Sequence, residues 1–246
     1  MKPKSEAYHL DCMKYMAGAP DKTFAIGLAD PPYALGQNLA KARSRSKLAA
    51  TAVKHDFDWD NAIPGREYFK ELIRVTRNQI IWGANYFPEV CGVPFKAPRR
   101  QEYQKFIEEH PTNWIIWDKV NGDSDFSDCE LAYTSFPICT QIFYFMWAGM
   151  RQGLSMQHGT VMQGNKALNE KRVHPTQKPL PLYQWQLQTF AKPGDTILST
   201  HMGSQNDRIA AYKMGFAYFG TEISEQHYND GCRRFQEQIN TPLFQL

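Results

Sequence analysis

Asp30-Pro31-Pro32-Tyr33 follows the apolar run Phe24-Ala25-Ile26-Gly27-Leu28. Neither proline can donate to a strand ladder, so the pair ends a strand there. The plain reading is a strand-ending turn with a surface aromatic; the functional one is that a carboxylate, a fixed backbone carbonyl and an aromatic ring at a strand end suit methyl transfer to the exocyclic amine of a nucleobase. That amine is a poor nucleophile, because its lone pair is delocalised into the ring. Asp30 and the Pro31 carbonyl can accept its two N–H bonds and localise the lone pair, while the prolines hold the carbonyl still. Tyr33 can stack on a base turned out of a duplex. The electrophile would be the sulfonium methyl of S-adenosylmethionine, and aligning it with the amine is worth ~7–11 kcal/mol of barrier. No strong base is required, since attack neutralises the sulfonium and leaves an acidic ammonium.

A second group of residues suits such a donor. The strand Thr196-Ile197-Leu198 leads to Gly203-Ser204, just before a helix from about Asn206 to Lys213. Glycine lets backbone approach a ligand closely, and a helix N-terminus favours a carboxylate, here the methionine tail. Glu222 ends the strand Ala217-Tyr218-Phe219-Gly220 and is placed to bond ribose hydroxyls. No His/Glu cluster has metal-ligand spacing.

The elements that must position these groups alternate. Phe69, Leu72, Ile73 and Thr76 recur at helical spacing, and Asn78 closes that helix. Gln79-Ile80-Ile81-Trp82, Trp114-Ile115-Ile116-Trp117 and Ile142 to Trp147 read as buried strands. Pro181 opens a helix whose Tyr183, Leu187 and Phe190 share a face; Pro193-Gly194 is a turn, and a last helix runs roughly from Glu225 to Gln238. Strand alternating with helix implies a parallel sheet covered on both faces. Three stretches break the rhythm: a basic loop at 34–58 with Lys41, Arg43, Arg45, Lys47 and Lys54, a polar insertion at 93–110, and a Gly- and Gln-rich segment at about 147–173 with Arg151, Lys166 and Arg172. Irregular segments of this length are usually functional or mobile.

The 246 residues suffice for one good-sized domain. With 42% hydrophobic and 22% charged residues the chain reads as globular, which excludes disorder, collagen and coiled coil. The net charge of +3 permits nucleic-acid binding without demonstrating it. Five scattered cysteines without a C-x-x-C pair argue against disulfides and zinc and for reduced thiols in a cytoplasmic compartment. The apolar stretch from Ile138 to Met150 is too short to span a bilayer, and the start of the chain lacks an apolar signal region.

Together these residues resemble the amino-group DNA methyltransferases of the permuted (beta) kind, in which the catalytic motif precedes the cofactor motif. The similarity is to the small phage and bacterial adenine-specific enzymes of restriction–modification type. Asp30-Pro31-Pro32-Tyr33 matches the catalytic motif at all four positions. Ile80 to Phe87, Trp117-Asp118-Lys119, Phe126 to Thr134 and His174-Pro175-Thr176-Gln177-Lys178-Pro179 match further segments, so the resemblance runs from about Asp11 to Phe235. It implies one Rossmann-like methyltransferase domain over 1–246, a mostly parallel seven-stranded sheet with helices on both faces, and an antiparallel last strand. It implies transfer of a methyl group to N6 of adenine in a short DNA sequence, with S-adenosylmethionine as donor and no metal. Asp30, Pro31, Pro32 and Tyr33 would be catalytic. Asp30, Gln177, Lys178, Ser199, His201, Gly203, Ser204 and Glu222 would lie at the cofactor, His201 as a hydrogen-bonded structural residue.

Two positions depart from the family. Ser199 stands where an Asp is usual, which removes a partner of the cofactor ammonium worth ~1–3 kcal/mol if unreplaced; Asp30 can serve in part. Gly203-Ser204-Gln205-Asn206 replaces Gly-Ser-Gly-Thr. Lys41 to Lys54, directly after the catalytic motif, are candidates for phosphate contact, as are Arg151, Lys166 and Arg172. The 147–173 segment occupies the place of the family's target-recognition segment, where Gln152, Gln157, Gln163 and Asn165 could bond adenine edges. It is short, so a short recognition sequence or help from a second protomer fits it. Pro242-Leu243-Phe244 resembles the apolar end of a sliding-clamp-binding peptide, against which a frayed tail is the plainer reading. The rivals are the same fold acting on N4 of cytosine, a DNA-binding pseudoenzyme suggested by Ser199 and Gln205-Asn206, and an RNA methyltransferase.

Overall fold

The computed structural model describes residues 2–34, 62–121, 127–148, 151–158, 165–174 and 176–240. The first strand, β1 (Ser5–His9), is followed by α1 (Cys12–Ala17), whose Asp11 N-cap accepts from the Met13 N–H at 2.7 Å. Next come β2 (Phe24–Ala29), α2 (Arg66–Val75), β3 (Thr76–Trp82), a single turn α3 (Pro88–Cys91) and α4 (Tyr103–Glu109). Strands β4 (Trp114–Asp118), β5 (Cys129–Thr134) and β6 (Gln141–Tyr144) precede a two-stranded hairpin of β7 (Trp147–Ala148) and β8 (Arg151–Gln152). The chain continues through α5 (Gly153–His158), α6 (Leu180–Phe190), β9 (Thr196–Ser199), α7 (Asn206–Lys213), β10 (Ala217–Glu222) and α8 (Glu225–Asn240).

The main sheet has the order β1-β10-β9-β2-β3-β5-β4-β6. All neighbours are parallel except around β5, which runs against both β3 and β4. Every residue of β2 is buried, as a near-continuous apolar run in a parallel strand covered on both faces requires. On one face Ile26, Ile80, Ile115 and Ile197 pack with Leu182, Leu187 and Phe190 of α6 and Ala210 and Ala211 of α7. On the other, Phe24, Ile81, Ile116 and Leu198 pack with Met16 of α1, Phe69 and Leu72 of α2, and Tyr103 and Phe106 of α4.

The centre of the sheet is a topological switch. β9 and β2 lie side by side and parallel. From β9 the chain crosses through α7 to β10 over one face; from β2 it reaches β3 through α2 over the other. The two crossings part at the C-terminal ends of β2 and β9 and leave a crevice there, where open α/β sheets bind ligands.

Several expectations are corrected. The described sheet has eight strands, not seven, because the polar segment Ser5–His9 pairs along β10 from Ser5↔Tyr218 to His9↔Glu222. The antiparallel strand is β5 and not the last one: β10 runs parallel to both β1 and β9. Asn78 is within β3 and closes no helix: α2 stops at Val75, Thr76 is already extended, and the Thr76 hydroxyl donates to the Leu72 carbonyl at 2.5 Å. Ile73 faces solvent, at 52% exposure. The expected strand from Ile142 to Trp147 breaks after Tyr144, and Trp147 turns into the hairpin, where its indole N–H donates to the Gln177 carbonyl at 2.9 Å. The 93–110 stretch is no loose insertion. Phe95, Phe106 and Trp114 make an aromatic cluster, and Arg100 forms a two-point pair with the buried Asp118 at 2.5 and 2.9 Å.

Candidate active site

An open pocket of about 660 Å³, counting its solvent-open mouth, lies in that crevice. Asp30 and Pro32 enter it from the end of β2, His201 to Ser204 from the loop after β9, and Glu222 from the end of β10. His174, Gln177 and Lys178 close it from the segment before α6, and His227 from the first turn of α8. The rings of His174 and His227 meet edge to face at 4.3 Å.

Glu222 is held in place by backbone. Its two oxygens accept from the N–H groups of Gly203 and Ser224, each at 2.9 Å. Burial raises its pKa against those bonds. Each oxygen keeps a lone pair for a hydroxyl donor, which fits the ribose of an adenosyl group. Gly203 sits at φ +47°, in the left-handed region that glycine adopts without strain. Gln205 sits at φ +58°, and its amide nitrogen donates to the Tyr228 carbonyl at 3.3 Å.

At the other end, Asp30 is the focus of a charge cluster built around the buried Lys178, with Asp30, Glu130 and Lys119 only partly buried. Its Oδ1 accepts from the Tyr33 hydroxyl and from the Lys178 ammonium, both at 2.5 Å. Lys178 Nζ also lies 3.3 Å from Glu130 Oε2, and Lys119 holds the other Glu130 oxygen at 2.7 Å. Burial alone would push Glu130 up, but the ammoniums of Lys119 and Lys178 outweigh it and bring it to about 2. Burial alone would lower Lys178, but Asp30 and Glu130 outweigh it and raise the pKa. The Tyr33 ring stacks on Tyr86 at 5.4 Å and lies against Gly83.

The structure thus brings Asp30, Pro32, Gln177, Lys178, His201, Gly203, Ser204 and Glu222 to one pocket. Pro31, which is buried, and Tyr33 are not among the lining residues, although Tyr33 bonds Asp30. Ser199 is not among the lining residues: it pairs with Leu28 in the sheet, is buried, and bonds to Asp207. Asp207, pushed up to about 6 by burial, also accepts from the Tyr218 hydroxyl at 2.9 Å. His201 is pushed down to about 4 by burial and is therefore neutral near pH 7; its Nδ1 bonds the Thr200 hydroxyl at 3.0 Å. The Gln177 side chain is committed within the protein, accepting from the Val173 N–H at 2.8 Å and donating to Glu170 at 2.7 Å.

Lys41, Arg43, Arg45, Lys47 and Lys54 lie outside the described residues, as do Gln163 and Pro242-Leu243-Phe244. Arg151 and Lys166 are exposed. The Arg172 guanidinium lies over the Trp147 ring at 4.4 Å and donates to the Trp147 carbonyl at 2.8 Å. Gln152 is buried and exchanges bonds with the Glu170 backbone, so it cannot read a base in this arrangement. Asn165 caps a turn through the Ala167 N–H at 3.1 Å. Glu130 and Lys119 were not among the expected site residues. Their signal was the Trp117-Asp118-Lys119 and Phe126 to Thr134 motifs, whose strands β4 and β5 pair Trp117 with Glu130.

Residues 138–232 match the family described as DNA methylase (N6_N4_Mtase). The chain is 35% identical over 63 residues to YubD of Escherichia coli (strain K12), assigned as a methylase; that match covers 26% of this chain and spans 28% of the relative's length. It is 20% identical to the type II methyltransferase M1.MboII of Moraxella bovis over 92% of this chain and 94% of that one. The PvuII DNA methyltransferase, cytosine-N4-specific, superposes with a TM-score of 0.51 at 12% identity, covering 97% of this chain and 94% of that one. TTHA0409 of Thermus thermophilus, assigned as a DNA modification methylase and complexed with S-adenosyl-L-methionine, superposes with a TM-score of 0.50 at 15% identity over 97% and 96%. The chain therefore shares the Rossmann-like fold of these S-adenosylmethionine-dependent methyltransferases, and its residues 138–232 match the DNA methylase family.

Proposed function

We propose that this protein is a DNA methyltransferase that transfers the methyl group of S-adenosylmethionine to N6 of adenine. The observation that carries the reading is the shared pocket: Asp30 of the Asp-Pro-Pro-Tyr motif and the Gly203–Glu222 cradle open into the same space at the switch point of the sheet. The cradle fits the donor. Glu222 offers its carboxylate to the ribose hydroxyls, Gly203 lets the backbone come close, and Asp30, the other carboxylate lining the pocket, faces the methionine ammonium in place of the absent acid at Ser199. When bound, S-adenosylmethionine supplies the methyl of its sulfonium.

This chain's own residues then prepare the acceptor. Asp30 and the Pro31 carbonyl take the two amine protons in hydrogen bonds and direct the nitrogen lone pair toward the methyl. Pro31 and Pro32 fix that carbonyl without a backbone donor of their own. The Tyr33–Tyr86 stack offers an aromatic edge to a base turned out of the helix. As the N–C bond forms and the S–C bond breaks, the nitrogen becomes positive; Asp30 stabilises that charge and receives the departing proton on its way to solvent.

The test is incubation of the protein with unmethylated DNA and S-adenosylmethionine, followed by digestion and mass spectrometry of the nucleosides. N6-methyladenine is expected. N4-methylcytosine would keep the mechanism and overturn the base assignment, which rests on the Asp at the first motif position. Absence of any methylated nucleoside, across several DNA sources and with folded protein, would turn the reading toward a DNA-binding pseudoenzyme; methylation of RNA in preference to DNA would overturn the substrate class.

A further inference from the structure

Lys178 is among the residues that line the pocket, but its ammonium is engaged elsewhere. An ammonium has three donors. One goes to Asp30 Oδ1 at 2.5 Å, one to the Tyr33 hydroxyl oxygen at 3.1 Å, and the third faces Glu130 Oε2 at 3.3 Å. No donor is left for a ligand. The side chain is 1% exposed, and the rings of Trp82 and Tyr33 flank Nζ at 5.2 and 5.6 Å, a contact favourable to a desolvated cation. Tyr33 closes a triangle: its oxygen accepts from Lys178, and its proton is donated to Asp30 Oδ1 at 2.5 Å. Both donors therefore fall on one oxygen of Asp30. The other, Oδ2, has no partner among the described residues, and Asp30, 19% exposed, lines the pocket.

We infer that Lys178 is a positioning residue and not a cofactor ligand: together with the Tyr33 hydroxyl it fixes Asp30 through Oδ1 and so presents Oδ2 as the acceptor for the substrate amine. The inference rests on the methyltransferase reading above. A carboxylate free to turn about its side-chain bonds spends much of its time out of line with the amine, and a misplacement near 1 Å costs about a hundredfold in rate. Two donors on Oδ1 remove that freedom before the substrate arrives. Glu130 and Lys119 hold the far side of the ammonium. Glu130 takes Lys178 on one oxygen and Lys119 on the other, the latter at 2.7 Å, so Nζ is held between two carboxylates. The backbone is anchored as well, since the Lys178 carbonyl accepts from the Asn206 side chain at 2.7 Å. The alternative is an ammonium that grips the methionine carboxylate of the donor. It would have to give up Asp30 or Glu130 in a site nearly closed to solvent, which is the costlier arrangement.

Lys178→Met separates the two roles. Asp30 keeps the Tyr33 hydroxyl and Glu130 keeps Lys119, so the variant strands no cation. The reacting end of S-adenosylmethionine carries an ammonium and a sulfonium, and removing a neighbouring like charge does not weaken their binding. Calorimetry should therefore give a Kd for S-adenosylmethionine within about threefold of wild type, or tighter, and its stoichiometry counts the competent sites. Single-turnover methylation of DNA, with each protein saturated with S-adenosylmethionine, should be slower by about tenfold or more per occupied site. Tyr33→Phe keeps the ring and removes no charge. It should show the same pattern, slower by about threefold or more with the Kd unchanged, and it decides the matter if Lys178→Met does not fold. A merely structural role lowers the number of binding sites or the urea midpoint and leaves the rate per occupied site as in wild type; that result overturns the inference. A Kd weakened more than about threefold by Lys178→Met makes the ammonium a cofactor ligand and also overturns it, with the methyltransferase reading intact. A wild-type protein that methylates no DNA overturns both.

Discussion

Asp30, Gly83 and Gln186 each carry a test that a single side chain can answer. Asp30→Ala removes the acceptor of the amine, and turnover should fall by at least about a hundredfold. Lys178 keeps Glu130 as a partner, so far-UV circular dichroism should be unchanged; retained turnover would refute the role. Gly83 is less obvious. A Cβ there would lie 2.1 Å from the Tyr33 ring, and the residue sits at φ +69°. Gly83→Ala must therefore expel Tyr33 from its place beside Asp30 and strain the backbone as well. It should cost about 1–3 kcal/mol of stability and most of the activity, read by urea unfolding and methyl transfer on the same preparation. Gln186 has no connection with the chemistry. It is fully buried on α6, and neither atom of its amide has a partner among the described residues. Gln186→Leu, close in volume, should gain about 1 kcal/mol or more, seen as a raised urea midpoint with an unchanged slope. Of these three residues only Asp30 was legible in the sequence. Gly83 lay inside a matched motif with nothing to show that a ring would rest on it, and a glutamine within a helix gives no sign that it faces the core.

Elements were more legible than residues where their apolar spacing had one reading. The strands β2, β9 and β10 and the helices α6, α7 and α8 were anticipated nearly to their ends, because apolar runs bounded by Pro, Gly or an acidic residue leave little choice of register. The misses have physical causes. β1 holds its place by pairing with β10, which no local pattern records. The join of α2 and β3 has no turn residue at all, so the change of period at Thr76 was placed two residues late. In the 93–110 stretch the charged residues read as a polar insertion, whereas the buried Tyr103 and Phe106 on α4 fix it to the core. What ties the cofactor-side elements together was also unseen. The Glu170 carboxylate accepts from the N–H of Leu180 at the start of α6 at 2.9 Å, from Arg234 of α8 at 2.6 Å and from Asn206 at the start of α7. Arg234 is itself bonded to Asn206 and to the Ser204 carbonyl. One carboxylate thus joins three helices beside the Gly203 loop. Arg234→Met should strand that charge and cost about 3–5 kcal/mol. The double variant Glu170→Gln, Arg234→Met should lose less than the two single losses added together, because the stranded charge is gone. Additive losses in urea unfolding would show that the helices are held by packing alone.

At the scale of the whole molecule, the sequence motifs located the two ends of the site but not the distance between them. Alternating strands and helices implied a parallel sheet; that β2 and β9, 171 positions apart at Ala25 and Thr196, would be neighbours follows only from the reversal of crossing direction at the centre. On the cofactor side, burial has a measurable consequence in two groups of opposite sense. His201 is pushed from 6.5 to about 4. Between those values the unfolded chain binds a proton that the folded one refuses, so this group makes stability rise with pH. Asp207 is pushed from 3.8 to about 6. Over that range the folded chain holds the extra proton, so this group makes stability fall with pH. The windows overlap between about pH 4 and 6, and each slope is at most about 1.4 kcal/mol per pH unit, so in the wild type they offset. Variants separate them. The stability of His201→Gln relative to wild type should decline as pH rises from 4 to 6, and that of Asp207→Asn relative to wild type should increase. Taking differences removes the background from the remaining carboxylates. Urea midpoints at pH 4, 5, 6 and 7 measure both, and two difference curves of the same sign would refute the burial of at least one of these groups. Since His201 lines the pocket and Asp207 bonds the Ser199 that the pocket has lost, the same curves report how tightly the cofactor side is closed before any ligand arrives.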